Sequence, residues 1–139
     1  VSSNPSVVPG AVLTRGGYLS RTGKKEFDPP ISVFPNGELK VGGKAITRSI
    51  VTANGGARGW VEVESRVVGY ESIDTSFGKL NAVKLEATQS DQDGGREKWT
   101  FWFDPEWGYS VRFVREYRGR SGAPVIIVRE MTARSRKES

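Results

Sequence analysis

Six stretches of the chain read as strands, most of them alternating apolar and polar side chains with the period-two rhythm of half-buried strands. The first, AITRSIVTA over residues 45–53, is rich in β-branched residues. The second, WVEVESRVVGYESI over residues 60–73, sets Val61, Val63 and Val67 on one face and Glu62, Glu64 and Arg66 on the other. Gly69 falls inside that run and predicts a bulge or bend rather than a break. NAVKLEAT, residues 81–88, alternates Val83, Leu85 and Ala87 with Lys84, Glu86 and Thr88. KWTFWF (98–103) and YSVRFVREY (109–117) flank a DPEWG turn and read as a hairpin, and VIIVREM (125–131) is the sixth strand. A weaker strand is predicted over Ile31–Phe34.

Turn signals separate these runs: PNGEL, VGGK, NGGARG, DTSFGKL, QSDQDGGRE and RGRSGAP. No stretch keeps a helical period. The pattern therefore predicts an all-β fold, an antiparallel meander of about six strands. Left flat, such a sheet would expose an apolar face and two edges, so it is expected to curl into a barrel, half-barrel or sandwich, eased by Gly69, Gly78 and Gly108. The run from Val125 to Met131 is an edge that could also pair between chains.

Outside the alternating region the character changes. VSSNPSVVPG has no periodicity and RTGKKEFDPP reads as a loop closed by two prolines, so residues 1–30 are expected to be an N-terminal arm or linker, partly ordered. Residues 31–131 form the single β domain, and residues 132–139 are expected to be a disordered basic tail. A first residue of Val1 rather than Met is what removal of a signal peptide would leave.

At 139 residues the chain has room for one domain that buries about two-thirds of its unfolded surface without disulfides or metals. It contains no Cys and no His. That removes thiol nucleophiles, the usual zinc sites, the Ser-His-Asp triad and imidazole base chemistry. An enzyme would have to run on carboxylates, Lys, Tyr or Ser, and no such constellation is assembled, so neither catalysis nor a cofactor or metal is expected. No apolar run approaches the roughly 18 residues of a membrane-spanning helix. The net charge of +5 suits a polyanion partner, although Arg134, Arg136 and Lys137 place part of it in the tail.

The densest chemistry lies in WTFWFDPEWGYSVRF, residues 99–113. Trp99, Phe101 and Phe103 fall on one strand face and Thr100 and Trp102 on the other. Only one face can meet the core, which leaves two readings: aromatics as core and hairpin cover, or Trp99, Trp102, Trp107 and Tyr109 with Arg112 as an exposed ligand platform. Arg112, Arg115, Arg118 and Arg120, in or just after the hairpin, are the corresponding candidates for a polyanion groove. Asp104 and Glu106 flank Pro105 and are read as turn formers, with Asp opening the turn by accepting a backbone hydrogen bond. Asp91 and Asp93 are read as a polar hairpin tip, because the third oxygen ligand and the final Glu of a calcium loop are out of register.

Two stretches taken together carry a family resemblance. VVGYESIDTSFGKLNAVKLEAT, residues 67–88, followed by WTFWFDPEWGYSVRF, resembles a family of bacterial exported β-rich domains of unknown function found in periplasmic proteins and lipoproteins. FPNGELKVGGKAI is similar to that family's upstream segment through Phe34, Pro35, Val41, Gly42 and Lys44, but inserts residues between Pro35 and Val41 and has Ile46 near the position of an aromatic. The resemblance covers roughly residues 34–117 and its motifs are structural. It implies location in the bacterial periplasm or at the outer membrane. The resulting expectation is a non-enzymatic envelope binding or assembly module, with an envelope lipid, a glycan or a protein as partner. The alternative is a binder of single-stranded nucleic acid or acidic glycan.

Overall fold

The computed structural model describes residues 12–13, 17–22, 25–35, 39–53, 56, 58–75, 78–106, 109–118 and 122–130. They contain nine strands: β1 (Val12–Leu13), β2 (Tyr18–Thr22), β3 (Lys25–Ser32), β4 (Lys44–Thr52), β5 (Arg58–Thr75), β6 (Gly78–Asp91), β7 (Arg96–Asp104), β8 (Tyr109–Arg118) and β9 (Pro124–Glu130). All lie in one sheet whose strand order is the chain order, each antiparallel to its neighbours. The all-β meander predicted from alternation is the observed fold. The number of strands is larger than predicted, because the six predicted runs correspond to β4–β9 and three further strands precede them.

Residues 21–30, read as a loop, lie largely in β2 and β3. Their Pro-Pro pair hid the strand, since a proline cannot donate to a ladder. The structure accommodates the pair where the ladder lapses. Pairing of β3 with β4 ends at Asp28↔Ile50, and pairing with β2 jumps from Arg21↔Glu26 to Leu19↔Ile31. Side chains take over the junction: Ser49 Oγ donates to the Pro29 carbonyl, and Ser32 N–H donates to Thr47 Oγ1 at 3.0 Å. Phe27 and Ile31 are the two β3 side chains buried in the core. The predicted tail, residues 132–139, and most of residues 1–16 lie outside the described residues.

Alternation decides the inner face. Val61, Val63 and Val67 of β5, Val83, Leu85 and Ala87 of β6, Trp99, Phe101 and Phe103 of β7 and Phe113 of β8 form one buried cluster. The sheet is strongly rolled. Four strand spacings separate β3 from β7, about 19 Å on the flat, yet Phe34, just beyond β3, meets Phe103 edge-on at 4.7 Å between ring centroids. Gly17 makes room for that contact: a Cβ there would stand 2.1 Å from Phe34 Cγ, and its carbonyl accepts from the N–H groups of Val33 (2.8 Å) and Phe34 (3.2 Å). Among the described residues β1 and β9 pair with no further strand, so the sheet is not closed into a barrel.

A second, smaller cluster lies on the outer face and depends on two bulges. In β5 the register slips between Val67↔Leu85 and Gly69↔Lys84, so odd-numbered residues turn from the inner face to the outer and Ile73 points away from the main core. In β8 a slip opposite Trp102 and Phe103 puts Val111 beside Arg112 on the outside. Ile73, Ala82 and Val111 are thereby buried together, with Leu80 and Trp102 packed against them. The far end of the β5–β6 hairpin is thus folded onto β7 and β8.

Candidate functional site

The aromatic hairpin is the natural place to look for a site, and the structure separates its members. Trp99 sits in the main core, 7% exposed, with its ring edge-on to Phe101. Its Nε1–H donates to Glu97 Oε1 at 2.7 Å. Trp102 lies on the opposite face, half-buried over the outer cluster. Trp107 lies outside the described residues, as does the side chain of Tyr109, whose backbone pairs with Asp104. The five residues of the platform are therefore not gathered on one surface: Trp99 and Trp102 are on opposite sides of the sheet.

Around Trp102 the polar contacts are internal. Its Nε1–H donates to Glu71 Oε1 at 2.9 Å, tying β7 to the folded-over end of β5. Lys84 Nζ and Arg112 Cζ stand 5.6 Å and 5.5 Å from its ring centroid. Arg112 Nε donates to Glu130 Oε2 at 2.6 Å, and its Nη2 donates to the Asp74 carbonyl at 3.1 Å. Trp102 and Arg112 thus hold the β5–β6 hairpin end in place. A ligand stacking on Trp102 would have to displace these contacts.

The arginine row is likewise engaged. Arg115 grips Glu97 with Nε and Nη2, at 2.9 and 3.1 Å, and its guanidinium lies 4.3 Å from the Tyr117 ring centroid. Arg118 Nη1 donates to the Gly122 carbonyl at 2.7 Å, and Arg120 lies outside the described residues. Burial by itself would raise the pKa of Glu97, but hydrogen bonds from Arg115 and Trp99, with the charges of Arg115 and Lys25, outweigh it and hold the carboxyl below its ordinary range. Arg115 is correspondingly raised, chiefly by its hydrogen bond to Glu97.

The carboxylates read as turn formers behave as such. Asp104 Oδ1 accepts from Glu106 N–H at 3.0 Å, and Asp91 Oδ1 accepts from the N–H groups of Asp93 (2.9 Å) and Gly95 (2.8 Å). Glu71 and Glu97, which fix Trp102, Trp99 and Arg115, are marked by no motif in the sequence, whereas Glu130 stands out there only as an acid that dilutes the arginine row. Glu97 is two residues from Trp99 on the same strand face, and that spacing was the available signal.

On the inner face Phe103, Ile31, Leu85, Val33, Val63 and Val83 are all under 2% exposed, covered by one another and by their neighbours in the cluster. At the free edge the picture reverses. Ile126 and Val128 of β9 are 62% and 52% exposed on the outer face, while Val125 and Ile127 point inward and are only partly covered. No helix among the described residues is long and apolar enough to cross a membrane. Compared with protein-family models, curated proteins and solved structures, the chain shows no match.

Proposed function

We propose that the chain is a non-enzymatic binding or assembly module of the bacterial cell envelope, a half-barrel that takes a protein strand at the open edge of its sheet. The observation that carries this reading is β9: a seven-residue strand whose outer edge pairs with no other strand among the described residues and which carries two exposed aliphatic side chains, in a sheet whose inner face holds a buried cluster of its own residues. An unpaired, apolar edge is a template for strand addition, where main-chain hydrogen bonds supply affinity and alternate side chains supply selectivity. The envelope location rests on the motif resemblance over residues 34–117. A protein partner is favoured over a lipid or glycan because Trp99 is core and Trp102 and Arg112 are committed to Glu71, Glu130 and Asp74.

The test is hydrogen exchange of the β9 amides, together with tryptophan fluorescence, during titration with four probes. These are a dye-labelled strand peptide of alternating Thr and Val, anionic phospholipid vesicles, peptidoglycan fragments and a single-stranded oligonucleotide, each at low and high salt. The expected result is protection of β9 by the peptide and silence from the other three. A salt-resistant blue shift with vesicles would overturn the reading in favour of an apolar ligand. Oligonucleotide quenching that disappears in salt would overturn it in favour of polyanion binding through Arg112, Arg115, Arg118 and Arg120.

A further inference from the structure

We infer that the strand taken up at β9 is β9 of a second copy of this chain, in a two-fold antiparallel pairing centred on Ile127. The inference rests on the strand-addition reading above. Three observations lead to it.

First, the two edges of the sheet are unequal. β1 has two residues and a register slip against β2, whereas β9 has seven residues and pairs evenly with β8 from Arg112↔Glu130 to Arg118↔Pro124. Among the described residues, a head-to-tail contact of β9 on β1 of the next copy has only Val12 and Leu13 to pair with. The same edge on both partners gives a closed pair.

Second, β9 is self-complementary in that register. Centring on Ile127 sets Ile126 opposite Val128 of the copy, Ile127 opposite itself, Val125 opposite Arg129 and Pro124 opposite Glu130. No like charges face each other, and the two most exposed aliphatic side chains of the edge cover one another on the outer face. Centring one residue pair later, on Val128, would instead set Ile127 against Arg129.

Third, charge continues across the junction. On the outer face Arg112 already pairs with Glu130. In the dimer the next positions in that row are Pro124 and Arg118 of the copy, by the pairing Arg118↔Pro124. Proline is short enough for the long Arg118 side chain, exposed and held within its own chain only by the Gly122 carbonyl, to turn across it toward Glu130, which would then lie between cations of two chains.

A contact of seven residues per strand buries less than the roughly 1,200 Å² at the lower end of standard interfaces, so a reversible, concentration-dependent dimer is expected. Sedimentation velocity of the full chain over increasing concentration should show monomer passing to dimer. The double variant Ile126→Lys/Val128→Lys should stay monomeric throughout, while Ile46→Lys, at an equally exposed β4 position, should dimerise like the wild type.

Register is tested separately. The chain has no cysteine, so Ile127→Cys introduces one thiol that meets its own copy across the axis at a separation suited to a disulfide. Ile126→Cys would face Val128 instead. Rapid oxidative cross-linking of the first variant and slow cross-linking of the second is the expected result. Equal rates, or a monomer at every concentration, would overturn the inference. If β9 is still protected by the strand peptide, the edge reading survives and only the self-pairing fails; if it is not, both fail.

Discussion

Replacing Glu97 by Ala tests the claim that a single carboxylate closes one end of the inner core. The carboxylate accepts three hydrogen bonds: from Trp99 Nε1 at 2.7 Å, Arg115 Nε at 2.9 Å and Arg115 Nη2 at 3.1 Å. Trp99 is 7% exposed, so its indole N–H loses its acceptor where water scarcely reaches, at a cost of about 1–3 kcal/mol. The Arg115 side chain is 36% exposed and can turn to solvent, so its share is discounted to about 0–1 kcal/mol. The sum is about 1–4 kcal/mol, a fall in Tm of roughly 3–16 °C for a chain of this size. Arg115→Met should cost only about 1 kcal/mol, because Trp99 still serves the carboxylate.

The pH dependence follows from the lowered pKa. The native carboxyl holds its proton less tightly than the unfolded one, so its stabilisation is complete above the unfolded value of about 4.5 and is lost as pH falls through the native value. Urea unfolding between pH 7 and pH 3 should show this acid limb in the wild type and a shallower one in Glu97→Gln. A cost below about 0.5 kcal/mol for Glu97→Ala, the size of an ordinary surface change, with an unchanged acid limb, would refute the reasoning.

Other expectations follow from the packing. Gly17→Ala should be severely destabilising, about 3 kcal/mol or more by thermal unfolding, because the residue has φ +79° and a Cβ would overlap the Phe34 ring. A near-neutral result would show that Phe34 can leave Phe103 freely. Trp102→Ala uncovers Ile73, Ala82 and Val111 and frees Glu71, so amide exchange over residues 70–82 should rise while the inner core stays protected. Uniform protection would mean that the hairpin end is held by something other than Trp102. Among the described residues Ser65 Oγ is buried with no hydrogen-bond partner, so Ser65→Ala should leave stability unchanged or raise it by up to about 1 kcal/mol in urea unfolding.

Alternation made β5, β6 and β8 legible because long parts of those strands have one face on the core and one toward solvent, whereas β9 was legible from its apolar run bounded by turn residues. Alternation failed for β3, where KEFDPPIS buries only Phe27 and Ile31 and carries two prolines in the middle. It placed Trp99 and Trp102 on opposite faces but could not tell what covers the outer one. That depends on the slip at Gly69, which turns Ile73 outward, and on the second slip that brings Val111 beside Arg112. Gly69 marked the first slip as a bulge without saying how it would turn Ile73, whereas the second, at Val111 with Arg112, has no glycine to mark it. The partners of Arg112 and Arg115 were equally hidden, because cross-strand pairing needs the register, and the register needs turn geometry.

Because strand order follows chain order, the sheet can be laid down in the sequence in which a ribosome delivers it. Each new strand finds its ladder partner already made, and the hairpin contacts are local enough to form without waiting for distant segments. Phe34 is the exception. Its resting place on Phe103 arrives only with β7, so until then the side of the Phe34 ring turned away from Gly17 lacks that cover. A chain stalled before residue 103 would therefore offer, beside Phe34, an apolar surface that Phe103 covers in the folded molecule.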